Sequence, residues 1–326
     1  MKRPSQKFTA LPKAAPASCI RLQGQYNSTS SPFRQNMGKA VFWRCSSIRL
    51  ARNFQTLNSQ SMLDPKPIFP NVIEVNHQLG YVLGCNVYII YSQGEWVMID
   101  IGYEEVVEEI VELVRELDFP FSQCKTLIAT HADVDHIQGL ARAKQIFKAD
   151  VSAHPLAAEP LKTGDPIKTF AKIEAQNIDM AMPPVDVEIM LNDGDKINVG
   201  DLELEVWLTP GHTDSQLSFR MGDLLFSGDN IYRDGCVGAI DAHHGSDLVA
   251  FVDSLTRIRQ SDVKWLLPSH GPVFLKDDAL LDAAIARLQG YQHMADFGTC
   301  AIDWPLMDQF EKEIKNGVMP QAPAKR

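Results

Sequence analysis

Apolar and polar positions fall into a regular order only from Val72 onward. "NVIEV", "CNVYIIYS" and "WVMIDIG" are short β-rich runs, the last two joined by the glycine-containing turn "QGE", and they predict hairpin-connected strands. "EEVVEEIVELVREL" changes the period. Val106, Ile110, Leu113 and Leu117 recur at helical spacing, with glutamates crowded at the start, where the positive end of a helix dipole favours them. "KTLIAT" then predicts a buried strand that delivers His131 at its carboxyl end. "IQGLARAKQIF" predicts a helix and "DVSAH" a strand. Residues 155–182 predict a helical excursion containing Met and Phe, closed by Pro183-Pro184 and placed to lie over a pocket.

A second strand-rich half is predicted in "VEIML", "DKINV", "LELEVWL", "QLSFRM" and "DLLFSG", with glycine-containing turns between most of them. A helix from about Asp247 to Arg259, the strand "VKWLLP" and a terminal helix around residues 278–294 complete the pattern. Strands, helix, strands, helix predict two sheets packed together with helices outside. No internal repeat is visible at the periods typical of solenoids or propellers.

Composition changes this picture mainly at the amino end. The chain has 326 residues, 45% of them apolar and 22% charged, enough for a large core. None of its 41 acidic residues precedes Asp64, whereas ten of its 31 basic residues do. Residues 1–62 are also rich in Ser, Gln and Asn and lack periodicity, as organellar transit peptides do. Two readings stay open: a disordered or transit-like extension, or upstream sequence before a translation start at Met62. The expected fold therefore occupies residues 63–326. That body carries 21 basic against 41 acidic residues, about −20, which disfavours nucleic acid and anionic membrane surfaces as general partners. An anionic substrate would need a local positive centre, such as a metal.

Cys19, Cys45, Cys85, Cys124, Cys236 and Cys300 form no CxxC pair and no regular spacing, so neither a zinc knuckle nor a disulfide framework is indicated. No apolar run approaches the roughly 18 residues that cross a bilayer, and the amino end lacks a secretory signal. The expectation is a soluble chain in a reducing compartment, cytoplasmic, or an organelle matrix if the extension is a transit peptide.

The chemistry concentrates in "TLIATHADVDHIQGL", where His131, Asp133, Asp135 and His136 fall within six positions. Imidazole nitrogen and carboxylate oxygen are the usual ligands of divalent transition metals, and a strand-to-helix loop can aim several at one point. Three more candidates follow β-rich runs: His212 in "TPGHTDS", Asp229 in "LLFSGDNIY" and His270 in "LLPSHGP". Any one such residue is more often a solvated or capping group, and Asp133 alone would serve to cap the helix that starts near Ile137. Seven at four strand ends point to a metal site.

These motifs, in this order, resemble the metallo-beta-lactamase superfamily: H-x-H-x-D-H, then histidine in "PGHT", aspartate in "GD" and histidine in "SHG". The resemblance covers residues 72 to about 275. It implies a four-layer αββα sandwich, an α/β (α+β) fold, with two divalent ions: His131, Asp133 and His212 on the first, Asp135, His136 and His270 on the second, and Asp229 bridging. The departure is Asp133, where most of the family has histidine. Three carboxylates and a bridging hydroxide balance two divalent ions. Ligation richer in oxygen shifts preference from zinc toward iron or manganese, so zinc, iron and manganese all stay open. A glutamate at this position occurs in flavodiiron proteins, but only 56 residues follow His270, too few for their flavodoxin domain.

The expected function is that of a binuclear metallo-hydrolase, in which a metal-bridging hydroxide attacks a thioester, lactone, ester, amide or phosphodiester of a small molecule. Asp135 is the catalytic candidate, positioned to orient the nucleophile and take its proton. Tyr232, His243 and His244 are candidate substrate contacts. His77, His154 and His293 match no motif and read as structural. Two alternatives are a mononuclear-iron sulfur dioxygenase, for which His131, His212 and Asp229 would be the ligands, and a non-catalytic metal-binding protein. Glycines in "GHT", "SGDN" and "SHG" match no P-loop and read as tight turns near the metals. Nothing in the pattern names the substrate or the oligomeric state.

Overall fold

The structure, a computed structural model, describes residues 64–76, 84–174, 177–241 and 245–292. The predicted extension over residues 1–62 and its boundary lie outside them, as do His77, His243, His244 and His293. The first sheet holds β1 (Asp64–Phe69), β2 (Val72–Asn76), β3 (Asn86–Ser92), β4 (Glu95–Ile99), β5 (Cys124–Ile128), β6 (Asp150–Ala153) and β9 (Ile189–Met190), in that spatial order. A two-stranded ribbon, β7 (Lys172–Ile173) and β8 (Ile178–Asp179), stands apart from it. The second sheet runs β10 (Lys196–Val199), β11 (Leu202–Leu208), β12 (Leu217–Met221), β13 (Leu224–Gly228), β14 (Trp265–Pro268) and β15 (Phe274–Leu275). Helices α1 (Val107–Glu116), α2 (Val134–Ile137), α3 (Leu140–Phe147) and α4 (Pro155–Thr163) belong to the first half, and α5 (Leu248–Gln260) and α6 (Asp278–Gln292) to the second.

Strict alternation in β3 and β4 explains the layering. Val87, Ile89, Trp96 and Met98 enter a core shared with Ile110 and Val114 of α1 and with Leu140 of α3. Their neighbours Tyr88, Ile90, Val97 and Ile99 point the other way, into a core between the sheets with Leu204, Val206, Phe219 and Phe226. A third core packs Trp207 and Leu225 against Phe251 and Leu255 of α5 and Leu281 and Leu288 of α6. Strands buried on both faces read as continuous apolar runs, as "NVYII" does. Each such side chain contributes roughly 1.5–3 kcal/mol on burial. Truncating fully buried Phe219 to alanine is expected to cost about 3–5 kcal/mol. The αββα layering agrees with the sequence expectation.

Two local expectations are corrected, and one strand is added. β1 was not anticipated, because Pro65 and Pro67 break a strand pattern. It is the sheet edge, paired only with β2, and residues two apart turn the position of the missing N–H the same way, outward. "VEIML" belongs to the first sheet, not the second, with β9 parallel to β6 and Glu188 accepting from Val151 N–H. The excursion over residues 155–182 is helical only through Thr163. Gly164 ends α4 in the left-handed region at φ 62°, and Asp165 Oδ1 then accepts from the backbone of Ile167 and Lys168 to start the turn into β7.

Candidate metal centre

All seven candidate ligands follow strand ends on one rim. β5 leads into Thr130 and His131, α2 carries Asp135 and His136, and β11, β13 and β14 lead to His212, Asp229 and His270. Hydrogen bonds between the sheets, and one between β13 and β14 within the second, fix these ends together. Leu217 N–H donates to Thr130 O at 2.8 Å, Ser269 N–H to Gly228 O at 3.1 Å, and Asn86 Nδ2 to Gly271 O at 2.7 Å. Gly211, at φ 141°, lets "PGHT" turn directly over α5, since a Cβ there would meet Phe251 Cα at 2.3 Å.

Two triplets result. His212 Nε2 lies 3.2 Å from His131 Nε2 and 3.1 Å from Asp133 Oδ2, and His131 Nε2 lies 3.5 Å from the same oxygen. On the other side, Asp135 Oδ2 lies 3.7 Å from His136 Nε2 and 3.5 Å from His270 Nε2. Asp229 Oδ2 stands between them, 3.7 Å from His212 Nε2, 3.6 Å from His136 Nε2 and 3.2 Å from His270 Nε2. Ligands about 2.0–2.1 Å from a tetrahedral ion stand roughly 3.3 Å from one another, so these separations fit a metal. Asp133 occupies the N-cap position of α2 yet makes no side-chain capping bond; its carboxylate turns to His212 instead. Capping is therefore not its role.

Buried atoms without partners make the same point. His136 Nε2 and Asp229 Oδ1 have no hydrogen-bond partner, a costly state for groups inside a protein unless something else satisfies them. The other ring nitrogens are occupied. His136 Nδ1 is 2.9 Å from Asp100 Oδ2, His131 Nδ1 is 2.9 Å from Thr130 Oγ1, and His212 Nδ1 is 2.6 Å from Ala239 O. Holding Nδ1 in this way turns each Nε2 toward the cluster and fixes its tautomer.

Asp100 organises this outer layer. Its carboxylate accepts from the backbone and hydroxyl of Thr130 and meets His136, while its own backbone is left-handed at φ 58°, an uncommon state for a residue other than glycine. Sequence reasoning missed it. The available signal was a lone acid closing the buried run "WVMID". Cys85 joins it, with a ligand atom within 4.8 Å of those of Asp100 and His136, and burial pushes its thiol well up.

Burial opposes charge on every ring, and the balance differs between them. Burial and the neighbouring His136 hold His131 below the usual imidazole range. For His212, burial is outweighed by Asp133 and Asp229, which push it up to about 9. Burial likewise opposes but does not overcome the carboxylates around His136, chiefly Asp135 and Asp229, and His270 is raised against its burial chiefly by Asp229. Asp229 is itself held well below the carboxylate range by His270 and His136, despite burial. Positive charge is what this acid cluster attracts.

Tyr232 lies at the rim, its ring centroid 5.7 Å from that of His270 in an edge arrangement. Burial first, then Asp229, raises its phenol well above the usual range, so it stays a neutral donor. His154 Nδ1 accepts from Leu156 N–H at the start of α4, a capping role. No helix in the described residues is long and apolar enough to cross a membrane.

Comparison with known proteins identifies the family. The sequence profile of the metallo-beta-lactamase superfamily matches residues 80–270. The chain is 24% identical over 190 residues to a probable polyketide biosynthesis zinc-dependent hydrolase, BaeB, of Bacillus velezensis, covering 58% of this chain and 70% of that one. It is 29% identical over 167 residues to acyl-coenzyme A thioesterase MBLAC2 of Bos taurus, covering 46% of this chain and 58% of that one. Among solved structures, the subclass B3 metallo-beta-lactamase BJP-1 of Bradyrhizobium japonicum superposes with a TM-score of 0.55 at 20% identity, over 77% of this chain and 95% of that one. The profile match spans more than half of the sequence, and the chain belongs to the metallo-beta-lactamase superfamily.

Proposed function

We propose that this protein is a binuclear metal-dependent hydrolase of a small ester-like substrate, with thioesters first among the candidates. The observation that carries the reading is the pair of triplets, each with two imidazoles and one carboxylate, meeting at Asp229. His131, Asp133 and His212 would hold one divalent ion, Asp135, His136 and His270 the other, and Asp229 both. Once bound, such ions make water a nucleophile near neutral pH and polarise the carbonyl it attacks.

The chain's own residues supply the rest. Asp135, about one-fifth exposed, is the most open of the three acids in the cluster and is placed to orient the attacking water and take its proton. Tyr232, a neutral phenol beside His270, is placed to donate to the oxygen that gains charge as the carbonyl becomes tetrahedral. In a thioester the water oxygen bonds to the acyl carbon, the C–S bond breaks, and the thiol leaves with a proton passed through Asp135. The thioesterase and hydrolase relatives favour this bond class. Purified protein assayed against chromogenic thioesters, lactones, phosphodiesters and β-lactams tests it; the expected result is thioester turnover abolished by chelation.

A second reading rests on the two histidines of the first triplet and the shared aspartate. His131, His212 and Asp229 are a two-histidine, one-carboxylate set, which suits non-haem iron. One iron per chain with thiol-dependent oxygen consumption, and no hydrolysis, is the outcome that would favour it.

A further inference from the structure

Among the described residues two openings flank the cluster, and they differ in size. On the His270 side, a pocket of about 500 Å³ is walled by Tyr232, Arg233, Asp234, His270, Gly271 and Pro272. On the Asp133 side, a space of only about 40 Å³ lies among Asp133, Leu156, Pro160, Lys168, Thr213 and Asp214. Of these two, the opening beside His270 is the one with room for a bulky group.

Arg233 is the unusual member of the larger wall. In an acidic body, arginines are readily paired, and the other described ones are. Arg115, Arg142, Arg220, Arg257 and Arg259 meet carboxylates, and Arg287 donates to Gly235 O. Arg233 is exposed and has no ion-pair or hydrogen-bond partner among the described residues. Its neighbour Asp234 bends back into its own turn, where Oδ1 accepts from Cys236 N–H at 3.0 Å. Among the described residues the result is an unpaired planar cation in the same wall as His270 and Tyr232. A guanidinium presents paired donors that match the paired oxygens of carboxylate or phosphate.

We propose that Arg233 is a specificity-determining residue that holds an acidic oxygen group on the larger half of the substrate, making the substrate class an anionic ester or thioester with its bulk toward His270 and a small group toward Asp133. The assignment rests on the hydrolase reading above for the identity of the scissile bond. Arg233 supplies a positive contact on the larger side, where the bulk of an anion would approach a body of about −20, as Lys168 does beside the smaller opening. It takes no part in bond breaking.

The test compares three matched substrates on the metal-loaded enzyme: S-acetyl-3-mercaptopropanoate, S-acetyl-2-mercaptoethyl phosphate and the neutral S-acetyl-3-mercaptopropanamide. Arg233→Gln is expected to lower kcat/KM for the acids by roughly ten- to a hundredfold, through KM, and to leave the amide unchanged. The acid with the larger loss identifies carboxylate or phosphate as the preferred group. Arg233→Glu should deepen the loss for both acids, and Lys162→Gln, an exposed change in the last turn of α4, should change nothing. Equal losses for acids and amide, or no loss, would overturn the proposal. Should the wild-type enzyme cleave none of the three, the hydrolase reading fails on its own account, and calorimetry with 3-(benzylthio)propanoate and its amide decides the anion site. Tighter binding of the acid that disappears in Arg233→Gln supports it, and equal binding of acid and amide sinks it.

Discussion

The two triplets around Asp229 carry the same donors in different surroundings. His131, Asp133 and His212 have side-chain exposures of 0, 8 and 2%, whereas His270 and Asp135 reach 26 and 19%. Asp133 creates the chemical likeness, since histidine there would make the first triplet all imidazole. Burial creates the difference. An ion in the closed triplet would be shielded from water and slow to exchange, while its partner beside His270 faces the pocket from which substrate comes.

The comparison breaks most completely at the shared residue. Asp229→Asn removes the charge both triplets use, and metal content measured by plasma mass spectrometry is expected to fall from two ions per chain toward none. Retention of both would show that the triplets do not meet there. Asp100→Asn is next. It loosens His136 and Thr130 together, with an expected ten- to a hundredfold loss of metal affinity in chelator competition. Unaltered affinity would remove Asp100 from the account. Gly238→Ala presses on the closed triplet most, because a Cβ would stand 2.8 Å from the His212 ring at Nδ1, while at Asp229 it would meet only the backbone O, at 2.6 Å. We expect one ion to be lost before the other, with a drop in Tm; unchanged stoichiometry and Tm would show that His212 has room to move.

Smaller effects sharpen the picture. Protons and metal compete for the same nitrogens, and His212 is held up to about 9 in the folded chain against the usual value near 6.5. Its proton contributes stability that is complete below about 6.5 and fades as pH rises through about 9. Metal needs the neutral ring, so affinity should rise with pH across that window. Proton release on binding, measured by calorimetry in two buffers, checks it, and a flat profile would contradict it. Asp133→His should leave two ions per chain but move the preference from iron or manganese toward zinc. An unchanged metal preference would show that the carboxylate does not set it.

Much of the site was legible because chemistry and local pattern coincided. Short motifs at strand ends carry His131, His212, Asp229 and His270, and a parallel strand pair such as β13 and β14 brings its ends to one rim. Asp100 was hidden because a single acid after "WVMI" looks like any strand terminus; only the fold brings it to His136, 36 positions away. β1 was hidden because proline propensity speaks against a strand, and edge position is a tertiary fact. β9 was assigned to the wrong sheet because two residues carry no register of their own. The helical reading of residues 155–182 failed where Gly164 and Asp165 outweighed the apolar spacing around them.

Counting ions in the protein as purified tests the central claim most directly. Plasma mass spectrometry joined to anomalous diffraction at the edges of zinc, iron and manganese should find two ions per chain, one among His131, Asp133 and His212, the other among Asp135, His136 and His270, both against Asp229. A single ion, or two bound anywhere else, would contradict it.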